Sequence, residues 1–369
     1  MNLRLVLPAA LLIAAAPAFG QAAPADISSL VEAVRQQHNL PALGGAIVTR
    51  DGLSAIGVSG VRRWGDPTPV SIDDKWHLGS NTKAITALLA ATAVQAGRLS
   101  WSDPLLDRYP ELAPHAHPEF ANLTLSDLAT MRSGIAGNPG FLPSGSRAEQ
   151  RLAVDRWAIS RPPAAPRGSF YYSNISFQML GEVAARAWGT SYEEALKKQL
   201  WAPLGITNVG LGPTTAVGAT DQPVAHYPRV GGWAPCEACD IPEGTGSGTI
   251  HMSLPDWGRL TQEVLRMHVG QSKLLGQAEA RLLTTGVTAI NATVSYAYGW
   301  NRHANPTESI VSHSGSDGRN LSRAVLFLDA GAGFLATTNS GDPTPGGGAP
   351  NAAVTALVAR MRSYHQTGQ

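Results

Sequence analysis

"SIVSHSGSDGRNLSRAVLFLDAGAGFLATTNSG", Ser309–Gly341, is the stretch on which the fold turns. It holds three strand-like runs, "SIVSHSG", "LSRAVLFLD" and "GFLATTNSG", the last two divided only by "AGAG". Connections this short join antiparallel neighbours, because a parallel pair needs a crossover of a dozen or more residues. Downstream, "GDPTPGGGAP" loops out and a last helix is predicted from near Asn351. Val354, Leu357, Val358 and Met361 then fall on one apolar face.

The N-terminal end reads in the same way. Asp26 is placed to cap a helix whose stripe is Ile27, Leu30, Val31 and Val34. In "LGGAIVTRDGLSAIGVSGVRR", Asp51-Gly52 divides two further strand-like runs, a strong hairpin signal. Between the two ends, Ser80–Thr293 reads mostly helical, with Gly/Pro punctuation such as "RPPAAPRGS" and "APLGITNVGLGP". The expected class is α/β of the α+β type. An antiparallel sheet is flanked by the N- and C-terminal helices, with a large all-helical lobe inserted. The sheet lobe is expected from residues 23–79 and 294–369 and the helical lobe from 80–293, within one catalytic domain, 23–369. A substrate would enter between the lobes.

Bulk properties narrow the function. The 369 residues are 43% apolar and 15% charged, enough for a large core. A net charge of +1 without a basic run argues against nucleic acid as a partner. "MNLRLVLPAALLIAAAPAFGQA", residues 1–22, has the order of an export signal: a basic start, a short apolar stretch and small residues. The mature protein is expected in a bacterial periplasm or secreted, without a stable membrane span. Cys236 and Cys239 are a pair alone, which cannot complete a structural zinc site without further ligands nearby; a local disulfide or free thiols remain open. His115, His117 and Glu119 in "PHAHPEF" lack the further ligands of a metallohydrolase, and "EGTGSGT" fits no nucleotide loop. No metal or other cofactor is expected.

Three short pieces carry the chemistry. In "WHLGSNTKAITALLA", Trp76–Ala90, Ser80 precedes Lys83 by three residues at the start of a helix predicted to run to Gly97. Positions i and i+3 share a helix face, so Ser80 Oγ and Lys83 Nζ can meet. The rest of that helix is uncharged, and burial lowers an amine's pKa toward that of a usable base. In "GSFYYSNISFQMLGEVAARAWG", Tyr172 and Asn174 sit before an apolar helical pattern; a nearby cationic lysine would ease loss of the Tyr172 proton. Read alone, Tyr172 is equally a core residue and Asn174 a helix cap. In "VSHSGSDGRN", His313, Ser314 and Gly315 end a strand, and Gly315 would let a substrate backbone lie close.

In this order the pieces resemble the serine penicillin-recognising enzymes: class C β-lactamases, serine DD-peptidases and related esterases, whose signature is SxxK, then YxN, then KTG or HxG. "LTLSDLATMRSGI", "WAPLGITNVG", "GSGTIHMSLPDWGRL", "YAYGW" and "LATTNSG" resemble further segments of that family, so the likeness spans nearly the whole mature chain. The resemblance implies a β-lactamase/transpeptidase-like fold and a serine hydrolase acting through an acyl-enzyme on Ser80. Its substrate would be a D-Ala-D-Ala-type peptide, an ester or a β-lactam. It implies Lys83 and Tyr172 as the proton-handling pair, and Asn174 as a support for Lys83 and the substrate amide. The backbone N–H groups of Ser80 and Ser316 would hold the oxyanion. His313 stands where class C enzymes carry a lysine, which weakens the hold on a substrate carboxylate at neutral pH. Arg319 is the candidate replacement for that charge. The alternative function is a penicillin-binding sensor or cell-wall-interacting protein that is acylated but deacylates slowly.

Overall fold

The computed structural model describes residues 23–368, apart from 140, 142, 238, 240–244 and 342–347. The expected export signal, residues 1–22, lies outside the described residues. The strands are β1 (Ala25–Asp26), β2 (Ala42–Thr49), β3 (Gly52–Gly60), β4 (Lys75–His77), β5 (Val209–Leu211), β6 (Ala225–Arg229) and β7 (Gly232–Cys236). They continue as β8 (Ile250–Ser253), β9 (Thr288–Ala289), β10 (Val294–Tyr296), β11 (Asn301–His303), β12 (Ile310–Ser316), β13 (Leu321–Phe327) and β14 (Ala332–Thr338). The helices are α1 (Ser28–Gln37), α2 (Thr82–Gln95), α3 (Leu105–Arg108), α4 (Leu125–Ala129), α5 (Arg147–Ile159) and α6 (Asn174–Ala187). After them come α7 (Tyr192–Leu196), α8 (Ala202–Leu204), α9 (Thr245–Gly248), α10 (Leu254–His268), α11 (Gln277–Leu283) and α12 (Gly348–Thr367).

Among the described residues nine strands form one sheet in the order β1-β3-β2-β14-β13-β12-β11-β10-β9. The three C-terminal runs are β12, β13 and β14, antiparallel, with Ile310 opposite Phe327 and Leu321 opposite Thr338. β14 then pairs antiparallel with β2, which joins the two ends of the chain in one sheet. The β2–β3 hairpin turns at Asp51-Gly52 as its sequence predicts, with Gly52 at φ 133°, a backbone angle that favours glycine. The antiparallel rule has one exception at the edge, where β1 pairs parallel with β3. β13 shows strict alternation of burial, whereas central β14 is buried at every position because both faces of the sheet are covered.

α1 and α12 cover one face. Val31 and Val34 of α1 and Val354, Leu357 and Met361 of α12 close over Leu43, Ile47 and Phe334. Asp26 is not the cap of α1: Ile27 occupies that position without a side-chain cap, and Asp26, two residues before Ser28, accepts the Ser28 N–H at 2.8 Å. The other face packs on α10 and the inserted section, in a core that also takes in α2 and α6.

The inserted section is mainly helical but not wholly so. β5 and β8 join β4 in a three-stranded sheet, β6 and β7 make a hairpin, and β9 adds to the large sheet from ahead of residue 294. These segments are two to five residues long, too short for periodicity to tell strand from helix. Cys236, the last residue of β7, is disulfide-bonded to Cys239. His117 Nδ1 accepts the Glu119 N–H in a surface turn. Among the described residues no helix is long and apolar enough to cross a membrane.

Candidate active site

β4 delivers the chain into a single 3-10 turn, Gly79–Asn81, and from there into α2. Ser80 sits in the middle of that turn. The turn lies backbone against backbone on the end of β12. A methyl group on Gly79 (φ 50°) would stand 2.4 Å from the Ser316 nitrogen, and one on Gly315 would stand 2.7 Å from the Ser80 nitrogen. Only glycine fits at either position, and the two glycines bring the amides of Ser80 and Ser316 side by side. Beneath them, Ser322 Oγ donates to Leu78 O and accepts from Asn81 Nδ2, each at 2.7 Å, tying the turn to β13.

Lys83 is fully buried in the first turn of α2. Its Nζ is 3.1 Å from Ser80 Oγ, 2.6 Å from Asn174 Oδ1 and 2.8 Å from Ser247 O. Burial pushes the amine well below its usual pKa. Asn174 Oδ1 and Ser247 O can only accept. Ser80 Oγ can donate as well. With burial favouring the uncharged amine, two of its hydrogens serve Asn174 Oδ1 and Ser247 O and its lone pair is left for the serine hydroxyl.

Tyr172 lies over the same group, with its ring centroid 4.8 Å from Lys83 Nζ and its hydroxyl hydrogen-bonded to Ser80. The residue as a whole is 37% exposed, although its hydroxyl sits against Ser80. The sequence reading has a cationic lysine easing the phenol proton; the surroundings act the other way. Burial raises the Tyr172 pKa, against a smaller lowering from the Ser80 hydrogen bond, so the phenol keeps its proton. Ser173, not Asn174, caps α6: its Oγ accepts the Ser176 N–H at 3.0 Å and donates to Ala136 O at 2.9 Å. Asn174 is thus free of capping. Its Oδ1 faces Lys83 while its Nδ2 donates to Asn138 Oδ1 at 2.7 Å.

β12 alternates, and the alternation divides the "HSG" triplet. His313 and Gly315 face the inserted section, and both are buried. Ser314 faces α12, where its Oγ accepts from Arg323 Nε at 3.1 Å and Arg323 reaches Thr355 Oγ1 at 2.6 Å. His313 Nδ1 donates to Ser314 O at 2.7 Å, which leaves Nε2 to accept from the Tyr296 hydroxyl at 3.4 Å. Burial above all lowers the His313 pKa to about 3, and Lys83 adds to the lowering only when it carries its extra proton. The imidazole is neutral at pH 7. Arg319 lies in the turn after β12. Its guanidinium is 3.5 Å from Asp317 O and its carbonyl accepts the His226 N–H at 3.1 Å.

Ser80, Lys83, Tyr172, Asn174, His313, Gly315 and the backbone of Ser316 thus gather in one place. The side chains of Ser314 and Arg319 make their contacts elsewhere. Two participants lie outside the three triplets. The first is α9, inside the Gly-rich "EGTGSGT": Ser247 O takes Lys83, and Gly246 O accepts from Thr86 Oγ1 at 2.6 Å. The second is Tyr296, in the "YAYGW" segment, whose hydroxyl lies 3.4 Å from His313 Nε2.

A family model described as Beta-lactamase matches residues 27–359. The chain is 25% identical to penicillin-binding protein 4 of Amycolatopsis lactamdurans over 329 residues, 85% of this chain and 84% of that one. It is 28% identical to a beta-lactamase of Providencia stuartii over 183 residues, 49% of this chain and 45% of that one. Among solved structures, the octameric penicillin-binding protein homologue from Pyrococcus abyssi superposes with a TM-score of 0.75 at 21% identity, covering 91% of this chain and 76% of that one. This last likeness is one of fold.

Proposed function

This chain belongs to the beta-lactamase family, and from that membership we propose that it is an exported serine hydrolase that turns over ester or amide substrates through an acyl-enzyme on Ser80. The observation that carries the reading is the buried Lys83 amine at 3.1 Å from Ser80 Oγ, with its two other neighbours both acceptors. Lys83 takes the Ser80 proton as Oγ attacks the substrate carbonyl. The amides of Ser80 and Ser316 hold the resulting oxyanion. As the tetrahedral intermediate collapses, the proton on Lys83 passes by way of the Tyr172 hydroxyl to the leaving alcohol or amine. Deacylation repeats the sequence with water in place of Ser80. Asn174 keeps Lys83 aimed and offers the substrate amide a partner.

The neutral, buried His313 supports a preference within that class. It offers no positive charge to a substrate carboxylate, unlike the lysine that class C enzymes carry at this position. Esters without a carboxylate are therefore the proposed better substrates, ahead of D-Ala-D-Ala-type peptides and cephalosporins. Arg319 supplies the missing charge only by leaving Asp317 O. A panel of p-nitrophenyl esters, D-Ala-D-Ala peptides and cephalosporins tests this. The expected order of kcat/KM puts short esters first, and Arg319→Ala leaves ester hydrolysis as it was. Efficient cephalosporin hydrolysis with KM raised by Arg319→Ala contradicts the preference. A fluorescent penicillin that labels Ser80 and stays there without product release favours the slow sensor instead.

A further inference from the structure

One buried pair beside the site has no part in the proton transfers. His77, the last residue of β4, and Asp317, the first residue after β12, are each 1% exposed in their side chains, with Nδ1 and Oδ2 3.9 Å apart. That separation makes them neighbours rather than hydrogen-bonded partners. Each instead grips backbone next to one of the two amides just described. His77 Nδ1 accepts the Gly79 N–H at 3.2 Å, one peptide before Ser80. An Nδ1 that accepts carries its lone pair there, which puts the proton of the neutral ring on Nε2.

Asp317 works on the other strand. Its Oδ1 accepts the N–H groups of Arg319 at 2.8 Å and Asn320 at 2.6 Å, and its Oδ2 accepts Asn320 Nδ2 at 2.9 Å. These three bonds close the turn that follows Ser316. Ser316 Oγ adds a bond to Asn320 O at 2.9 Å. The two gripped segments are those that meet through Gly79 and Gly315, where neither glycine leaves room for a methyl group. At such close quarters a small rotation of the Gly79 peptide changes where the Ser80 N–H points. Donors for an oxyanion act only if they are held in place before the charge develops.

We propose that His77 and Asp317 are positioning residues for the oxyanion site, one fixing the Leu78–Gly79 peptide that leads into Ser80 and the other the turn after Ser316. This rests on Ser80 as the nucleophile and on the Ser80 and Ser316 amides as the oxyanion donors. Both side chains are 1% exposed and spend their hydrogen bonds on backbone, so the expected effect falls on the transition state rather than on ground-state binding.

The test compares His77→Leu, His77→Asn and Ser80→Ala in the full chain with a p-nitrophenyl ester and with phenylboronic acid, whose tetrahedral adduct on Ser80 mimics the transition state. Loss of the acceptor in His77→Leu should lower kcat by about 100-fold, the low end for losing one oxyanion donor, with KM within about three-fold. Boronic acid affinity should fall in parallel. His77→Asn should recover most of the loss, since its Oδ1 can stand where Nδ1 stood. A folded His77→Leu with wild-type kcat overturns the proposal, as does an Asn variant no better than Leu. Should His77→Leu fail to fold, Asp317→Ala carries the same test: kcat at least about ten-fold lower at unchanged KM supports the proposal, and unchanged kcat overturns it. If Ser80→Ala retains full activity, the underlying reading falls. If Ser80→Ala is inactive while His77→Leu is unimpaired, only the positioning role falls.

Discussion

The helices α5 and α2 begin in opposite ways. α5 starts with a complete capping box: Ser146 Oγ accepts the Glu149 N–H, and the Glu149 side chain accepts the Ser146 N–H. α2 has no side-chain cap, no acidic residue in its first turn, and a buried lysine there instead. A cap satisfies the free N–H groups locally and adds stability. At α2 that role passes to the 3-10 turn, whose Gly79 and Ser80 carbonyls accept the Thr82 N–H, and the start of the helix adjoins a serine hydroxyl and a low-pKa amine. One helix start serves stability, while the other is arranged for chemistry.

The sharpest way to break this comparison is at Lys83. Lys83→Met keeps the length and apolar packing but removes the amine. Hydrolysis should fall by about 10³-fold or more, within the range for loss of a general base. The wild-type pH profile should agree: the active form is the neutral amine, so kcat/KM rises with pH to a plateau reached well below the ordinary lysine pKa of 10.5. A rise that continues to pH 10 would mean Lys83 is an ordinary ammonium.

The second test concerns burial around the site. His313 is neutral in the folded state, with its pKa lowered to about 3, while the unfolded imidazole titrates near 6.5. Below pH 6.5 the unfolded chain binds a proton that the folded one does not, so stability is lost as pH falls from about 6.5 toward 3. His226, lowered to about 4 by burial, acts in the same direction. Thermal melts of wild type and His313→Phe between pH 7 and 4 should show a shallower decline in the variant; parallel curves would show that His313 accepts protons when folded. The smallest effect belongs to the capped helix. Ser146→Ala should lower stability by about 1 kcal/mol by denaturant titration and leave ester hydrolysis unchanged.

The legible parts of the fold were those with sequence periodicity or turn chemistry. β12–β14 and the Asp51-Gly52 hairpin stand where the residues predict them, and α12 buries Val354, Leu357 and Met361. β4, β5 and β8 escaped notice because three or four residues give no period. In the site, Ser80 and Lys83 were legible only together with Tyr172-Ser173-Asn174 and His313-Ser314-Gly315, because a serine three residues before a lysine is common and by itself leaves Lys83 equally a solvated side chain. Ser247 was not, because it acts through a carbonyl that every residue type possesses. Ser314 was grouped with His313 and Gly315 although a strand's period of two sends its side chain to the opposite face, onto Arg323. Asp317 and His77 carried no sequence signal, since they act on backbone that only the fold brings together.

The central claim is that Ser80 carries the acyl group. Intact-protein and peptide mass spectrometry after rapid quenching with a slowly hydrolysed aryl ester tests it most directly. The account predicts one acyl mass on the peptide containing Ser80 and Lys83, lost over time in wild type and never formed in Ser80→Ala. An adduct on another residue, or wild-type ester turnover by folded Ser80→Ala, would contradict it.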